Sequence, residues 1–237
     1  MQKKDDRFSG IATNYAALWN EVVEEAGFGY QAFQRSIFEA AVLAFPDLRD
    51  RRILDLGIGD GETSKFFVEH GCRKITGVDL NSEMLEASAR RFNGSVKLVQ
   101  ADISKLSGIF SPSDFDLVVT GATLHNIPTK VRLDVWRQIQ HLDPKLFVSG
   151  DKIADDDPVR HKEYFDRETK AIVQIYSDRH GLTDMADEWI RHYDIDEQEK
   201  LFLVEIEQGL EPKYYIELIG EFGMYKTVKA VMHNQLL

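Results

Sequence analysis

The 237-residue sequence has a single cysteine, Cys72, and only six prolines. One thiol excludes an intramolecular disulfide framework and any Cys-cluster zinc site, and it fits a reducing compartment. No stretch approaches the roughly 18 consecutive apolar residues of a membrane span. The opening MQKKDDRFSG turns acidic at once, with no apolar core of the kind found in signal peptides. The expectation is therefore a cytoplasmic protein without a membrane anchor. Positive charge is also scarce: 29 Lys and Arg face 40 Asp and Glu, for a formal charge of −11. That balance argues against a broad electrostatic grip on nucleic acid or on an anionic membrane.

What the chain does have is length for a generous core and a clear alternation of patterns. Between about 51 and 152, the runs RRILDL, KITGVD, VKLVQAD, FDLVVT and KLFVSGDK predict strands. GETSKFFVEH, SEMLEASARRF and TKVRLDVWRQI predict helices between most of them. Such alternation predicts an α/β fold, a Rossmann-like, doubly wound and mostly parallel sheet with helices on both faces. One domain is expected, in four parts: an aromatic-rich helical cap over the sheet's ligand edge at the strand ends (1–50), a core (51–154), a helical insertion after the fifth strand (155–212) and a C-terminal helix and strand (213–237). KYYIELIGEFG is read as that helix and MYKTVKAVMHN as the strand. The insertion is expected to hold two helices broken near Gly181. Residues 151 to 213 contain 18 acids and 9 bases, so nearly all of the excess negative charge lies there.

The stretch ILDLGIGDGETS, Ile53 to Ser64, carries the most chemistry. A buried strand runs into Gly57, Gly59 and Gly61 and a helix follows, which lets the backbone approach a ligand lying across the strand ends. A dinucleotide fingerprint requires a small residue where Glu62 stands, and a P-loop requires Gly-Lys-Ser/Thr where this chain has Gly61-Glu62-Thr63. Asp55, Asp60, Glu62 and Asp79 would repel a pyrophosphate but suit a cationic ligand. S-adenosylmethionine, with a sulfonium, an ammonium and no phosphate, meets that description.

ILDLGIGDG, ITGVDLNSEML, QADI at 100–103 and FDLVVTGATLHNI, in this order and spacing, resemble the successive motifs of class I S-adenosylmethionine-dependent methyltransferases over residues 50–152. The resemblance implies binding of S-adenosylmethionine and release of S-adenosylhomocysteine. It implies that Gly57, Gly59 and Gly61 pass under the methionine and ribose, with Asp55 near the ammonium and Asp79 chelating the ribose hydroxyls. Leu80 and Met84 would pack on adenine, Asp102 would accept from its amino group, and Ile103 would offer a backbone N–H. Thr120 opens the TGATLHNI segment that borders the transferred methyl in the family. The alternative for Asp79 is a surface acid at a strand end; that for Asp102 is a helix N-cap, a role that can coexist with cofactor binding.

His125 corresponds to the first His of a Leu-His-His-Leu pattern, with Asn126 in place of the second. It is a candidate to orient or deprotonate an acceptor, against the alternative of a structural histidine in a turn. Phe28-Gly29-Tyr30 is similar to a Gly-Tyr segment of carboxy-S-adenosylmethionine synthase relatives, which would lay Tyr30 over the cofactor's methionine end. The alternative is that Tyr15, Trp19, Tyr30 and Phe33 form the buried stripe of two helices. His161, Tyr164, Arg167, Tyr176, Arg191, His192 and Tyr193 are candidates for lining an acceptor pocket. Asp155-Asp156-Asp157 reads as a charged loop or helix start, and no metal is expected.

The family sheet ends in an antiparallel strand pair, and HNQLL after Met232 is too short for a final strand. Either the last strand is very short, or the chain is truncated, or a partner completes the edge, and an unpaired edge would favour a homodimer. The leading function is methyl transfer to a small-molecule acceptor. The alternatives are a carboxy-S-adenosylmethionine synthase-like reaction and a non-catalytic module that binds the nucleoside.

Overall fold

The computed structural model describes residues 29–181, 200–222 and 225–233. Seven strands form one sheet in the order β3-β2-β1-β4-β5-β7-β6. β1 (Ile53–Leu56), β2 (Ile75–Asp79), β3 (Lys97–Gln100), β4 (Leu117–Gly121) and β5 (Leu146–Lys152) run parallel. β6 (Tyr214–Phe222) and β7 (Tyr225–Met232) are antiparallel to each other, and β7 is antiparallel to β5. The helices are α1 (Tyr30–Ala44), α2 (Ser64–His70), α3 (Ser82–Phe92), α4 (Thr129–Leu142), α5 (Pro158–His180) and α6 (Leu203–Leu210).

All five parallel strands and the three helices among them fall where the sequence pattern places them. β1 is buried along its whole length because both sheet faces are covered, so its residues alternate between two cores. Ile53 faces the core that holds Phe33, Ile37 and Phe67, whereas Leu54 and Leu56 face the one that holds Trp136, Ile139 and Leu142. The same alternation sends Leu117 and Val119 of β4 one way and Val118 the other. Cys72 is a buried free thiol.

The C-terminal segment corrects two expectations. KYYIELIGEFG is a strand, paired from Tyr214↔Met232 to Phe222↔Tyr225 with an irregularity between Leu218 and Gly220. Its apolar residues satisfy a helical and an alternating period at once, and the ladder to β7 decides between them. Burial of Tyr214, whose hydroxyl donates to the Pro144 carbonyl at 3.1 Å, anchors the strand's start. The antiparallel pair is therefore complete within the chain, and the dimer expectation, built on a missing strand, loses its ground.

α1 is also placed differently from a cap over the strand ends. Phe33 and Ile37 lie so close to Gly150 that a Cβ there would meet them at 2.7 and 2.8 Å, so the helix covers the sheet face over β5. Only its first turn reaches the strand ends, where Gln31 and Gln34 bond Glu62 and Thr63. The expected contributions of Tyr15, Trp19 and Phe28 lie outside the described residues. So do Arg191, His192, Tyr193 and the second insertion helix, while α5 ends at His180 before Gly181 as expected.

Among the described residues, the insertion is held to the core at both of its ends. At its start, Asp155 pairs with Arg160 at 2.7 Å and Lys226 at 3.6 Å, and it accepts from the Asp157 amide while Asp157 accepts from that of Val159. The three acids are thus a helix-start charge run. At its end, the fully buried Arg132 bonds Glu205, the Lys200 carbonyl and the Ile127 carbonyl. The Ala154 amide donates to the Leu201 carbonyl at 2.8 Å, which brings the two ends together.

Candidate active site

Strand order reverses between β1 and β4, each neighbouring a strand that leads away from the other, and an open α/β sheet binds ligands at that point. The glycine loop leaves β1 there. Gly57, Gly59 and Gly61 have φ values of 68°, 55° and 93°, in the left-handed region that favours glycine. Gly57 and Gly61 are also packed from behind: a Cβ would lie 2.2 Å from the Thr123 methyl and 2.3 Å from the Phe92 ring. A Cβ on Gly59 meets nothing nearer than the Gly57 carbonyl at 4.0 Å. The loop thus presses into protein at both ends and leaves its middle open.

Three carboxylates surround it in different states. Asp55, 1% exposed, accepts from the Ser64 hydroxyl at 2.6 Å, and its other oxygen is buried without a partner. Burial, only partly offset by Ser64 and reinforced by the charge of Asp79, pushes its carboxyl up to about 7. Asp79, at the end of β2, accepts the Gly59 amide at 2.9 Å and the Asn81 amide at 2.9 Å. Burial raises its carboxyl too, against the pull of these amides and that of Leu80. Glu62 is the hub beneath the loop, bonded by Lys65, Gln31 and Arg91. Burial opposes its charge, yet these partners bring it down to about 2.

Asn81 caps α3, its side chain accepting the Glu83 and Met84 amides, and this sets Met84 in the wall while Leu80 stays 57% exposed. Asp102 caps the short 3-10 helix Ile103–Gly108 by accepting the Ser104 amide and hydroxyl. These bonds and Lys105 hold its carboxyl below the usual range although burial works against them. Thr120 is fully buried and its hydroxyl has no partner. Tyr30 lies edge-on to Phe33 and Tyr225 in the α1 core stripe.

Beyond β4 the chain makes a single 3-10 turn, Leu124–Asn126, entered through Ala122 at φ 53°. Thr123 donates its hydroxyl to the Gly57 carbonyl at 3.2 Å, fixing this turn to the glycine loop. His125 in the turn contacts Asp151 at the end of β5 through its Nδ1. Asp151 was not singled out from the sequence, although it shares the signal of Asp55 and Asp79: an acid ending an apolar strand. From the sequence Glu62 reads as a residue that breaks other motifs and as one of four acids suited to a cationic ligand; its bonds to Lys65, Gln31 and Arg91 come from the structure.

The residues fit S-adenosylmethionine. An orphaned, buried carboxylate oxygen suits a cationic donor, the open face of Gly59 leaves room for close backbone approach, and Asp79 has acceptor capacity left for hydroxyl donors.

Residues 53–143 match the methyltransferase domain family. Over 89 residues the chain is 36% identical to the malonyl-[acyl-carrier protein] O-methyltransferase of Enterobacter lignolyticus, covering 38% of this chain and 34% of that protein. Over 91 residues it is 31% identical to the trans-aconitate 2-methyltransferase of Rhizobium etli, covering 38% and 33%. The matched part thus spans about a third of the length of these curated relatives. The crystal structure of magnesium protoporphyrin IX methyltransferase from Synechocystis PCC 6803 with bound SAM shares the fold, with a TM-score of 0.61 at 13% identity over 98% of this chain and 99% of that one. Sheet order and domain match agree: residues 53–143 match a methyltransferase domain, and the chain shares the fold of a methyltransferase crystallised with SAM.

Proposed function

We propose that the protein transfers a methyl group from S-adenosylmethionine to a small-molecule acceptor. The observation that carries this reading is the acid-lined glycine loop, in which the buried Asp55 keeps one oxygen without a partner. Asp55 would receive the ammonium, Asp79 the ribose hydroxyls, Met84 and Leu80 the adenine faces, and Asp102 with the Ile103 amide the adenine edge. Gly57, Gly59 and Gly61 would let the backbone run under the ligand. Tyr30 and Thr120 would contribute walls at the methionine end. When bound, the sulfonium supplies an electrophilic methyl whose bonding pair stays with sulfur.

The chain's own contribution is chiefly to hold acceptor and methyl close and aligned. Net acidity supports an acceptor other than nucleic acid, since phosphates would be repelled. Among the described residues, no helix is long and apolar enough to cross a membrane.

Calorimetric titration with S-adenosylmethionine and S-adenosylhomocysteine tests the reading. Binding by the native chain and its loss in Asp79→Asn are expected. Absence of binding at millimolar ligand sinks it.

A further inference from the structure

Asp151 is a buried carboxylate whose partners are all donors. Its side chain is fully enclosed. One oxygen accepts the amides of Thr123 at 3.1 Å and Leu124 at 2.7 Å. The other accepts those of His125 at 3.2 Å and Lys152 at 3.0 Å and faces Nδ1 of the His125 ring. Backbone amides can only donate, so the carboxylate is confined to accepting. The ring nitrogen against it must then carry the proton, which leaves Nε2 of a neutral imidazole with its lone pair available. Among the described residues Nε2 has no hydrogen-bond partner, and the side chain is 12% exposed.

Capping the turn requires the amide of residue 125 and not its side chain, since any residue there would supply the same N–H. The turn is nevertheless fastened to the glycine loop through Thr123 and to β5 through Asp151, and it is entered through a non-glycine residue at positive φ. Backbone strain of this kind persists where surrounding bonds over-determine it, and it gathers at functional sites.

From this geometry we infer that Asp151 is a positioning residue for His125, and that the pair takes a proton from an acceptor with a protic nucleophile such as a hydroxyl. The inference rests on the methyl-transfer reading above. In the step, an electron pair on the acceptor oxygen would form the new bond to the methyl carbon as the sulfur–methyl bond breaks with its pair left on sulfur, and the O–H pair stays on oxygen as the proton leaves. The proton moves to Nε2, and the imidazolium so formed lies against the Asp151 charge. A carboxylate acceptor arrives without that proton and would give the pair nothing to do, so the inference assigns the acceptor class as hydroxyl-bearing rather than carboxylate-bearing.

Long-range 15N NMR of the full chain with S-adenosylhomocysteine at neutral pH should show His125 protonated at Nδ1 and bare at Nε2. An Nε2–H tautomer overturns the inference. Turnover is then read with methyl-labelled S-adenosylmethionine against two acceptor panels matched in skeleton, one bearing hydroxyls and the other carboxylates. Label should appear on hydroxyls, and His125→Gln should lower kcat by about 100-fold or more with KM changed by about threefold at most, the scale of a lost general base. Asp151→Asn should lower kcat in the same direction and shift the tautomer. If that variant does not fold, His125→Gln, which keeps the amide bonds to Asp151, still decides. Native kcat in His125→Gln, or label on carboxylates alone or on neither panel, overturns the inference. Failure to bind S-adenosylhomocysteine overturns the methyltransferase reading instead.

Discussion

The two sides of the strand-end crevice treat a buried carboxylate in opposite ways. On the β1 side Asp55 has one hydroxyl partner and an orphaned oxygen, and its proton is held up to about 7. On the β5 side Asp151, equally enclosed, is surrounded by four amides and a ring nitrogen. An acid with too few partners is prepared for a cation that comes and goes. One with a full complement is part of the frame and fixes the groups around it.

That contrast is broken most severely at Asp151. Asp151→Ala would strand several amides and is expected to lower stability by about 3–5 kcal/mol in denaturant unfolding. Asp55→Asn keeps a partner for Ser64 and removes a costly charge, so stability should stay within about 1 kcal/mol. Similar losses at both sites would dissolve the distinction.

The glycine loop sharpens it next. Gly57→Ala or Gly61→Ala combines a strained φ with a clash against Thr123 or Phe92, and should lower stability by about 2–5 kcal/mol. Gly59→Ala faces open space and should lower it by about 1 kcal/mol, reading out instead as weaker nucleoside binding.

For Asp55→Asn, affinity for S-adenosylmethionine should fall by about 10- to 100-fold in calorimetry, the scale of one charge-assisted hydrogen bond. The smallest effect is a dependence on pH. The folded chain holds the Asp55 proton to about 7 while the unfolded chain releases it in the ordinary carboxylate range. Between those limits the unfolded state binds fewer protons, so this residue's contribution to stability falls as pH rises and levels off above about 7. A bound ammonium should expel the proton, so titrations in buffers of different ionisation enthalpy should show proton release below about 7. The Asp55→Asn variant should lose both the slope and the release.

The parallel half of the sheet was legible because β1, β2, β4 and β5 are buried almost throughout and so read as short apolar runs, as ILDL does before Gly57. The loop and Asp79 were legible for a related reason, since backbone approach and strand-end acids leave local signatures. β6 was not, because Tyr214, Ile216 and Leu218 alternate while Tyr215, Leu218 and Phe222 repeat at helical spacing, and only the ladder to β7 separates the two. The Asp151–His125 contact joins residues 26 apart in the chain, and no local pattern announces it. Tyr30 shows the limit of a motif: the Gly-Tyr pair suggested a ligand contact and the aromatic stripe a core position, and the ring packing with Phe33 and Tyr225 is the part the structure describes.

The hydrogen bond from Ala154 to Leu201 has a consequence for how such a chain can diverge. Because the core itself holds the two ends of the intervening segment together, the entropy of closing that loop is met by the frame, and its length enters only weakly. Changes of length in this segment that spare the residues held to the core, such as Asp155 and Ile172, should therefore cost little stability.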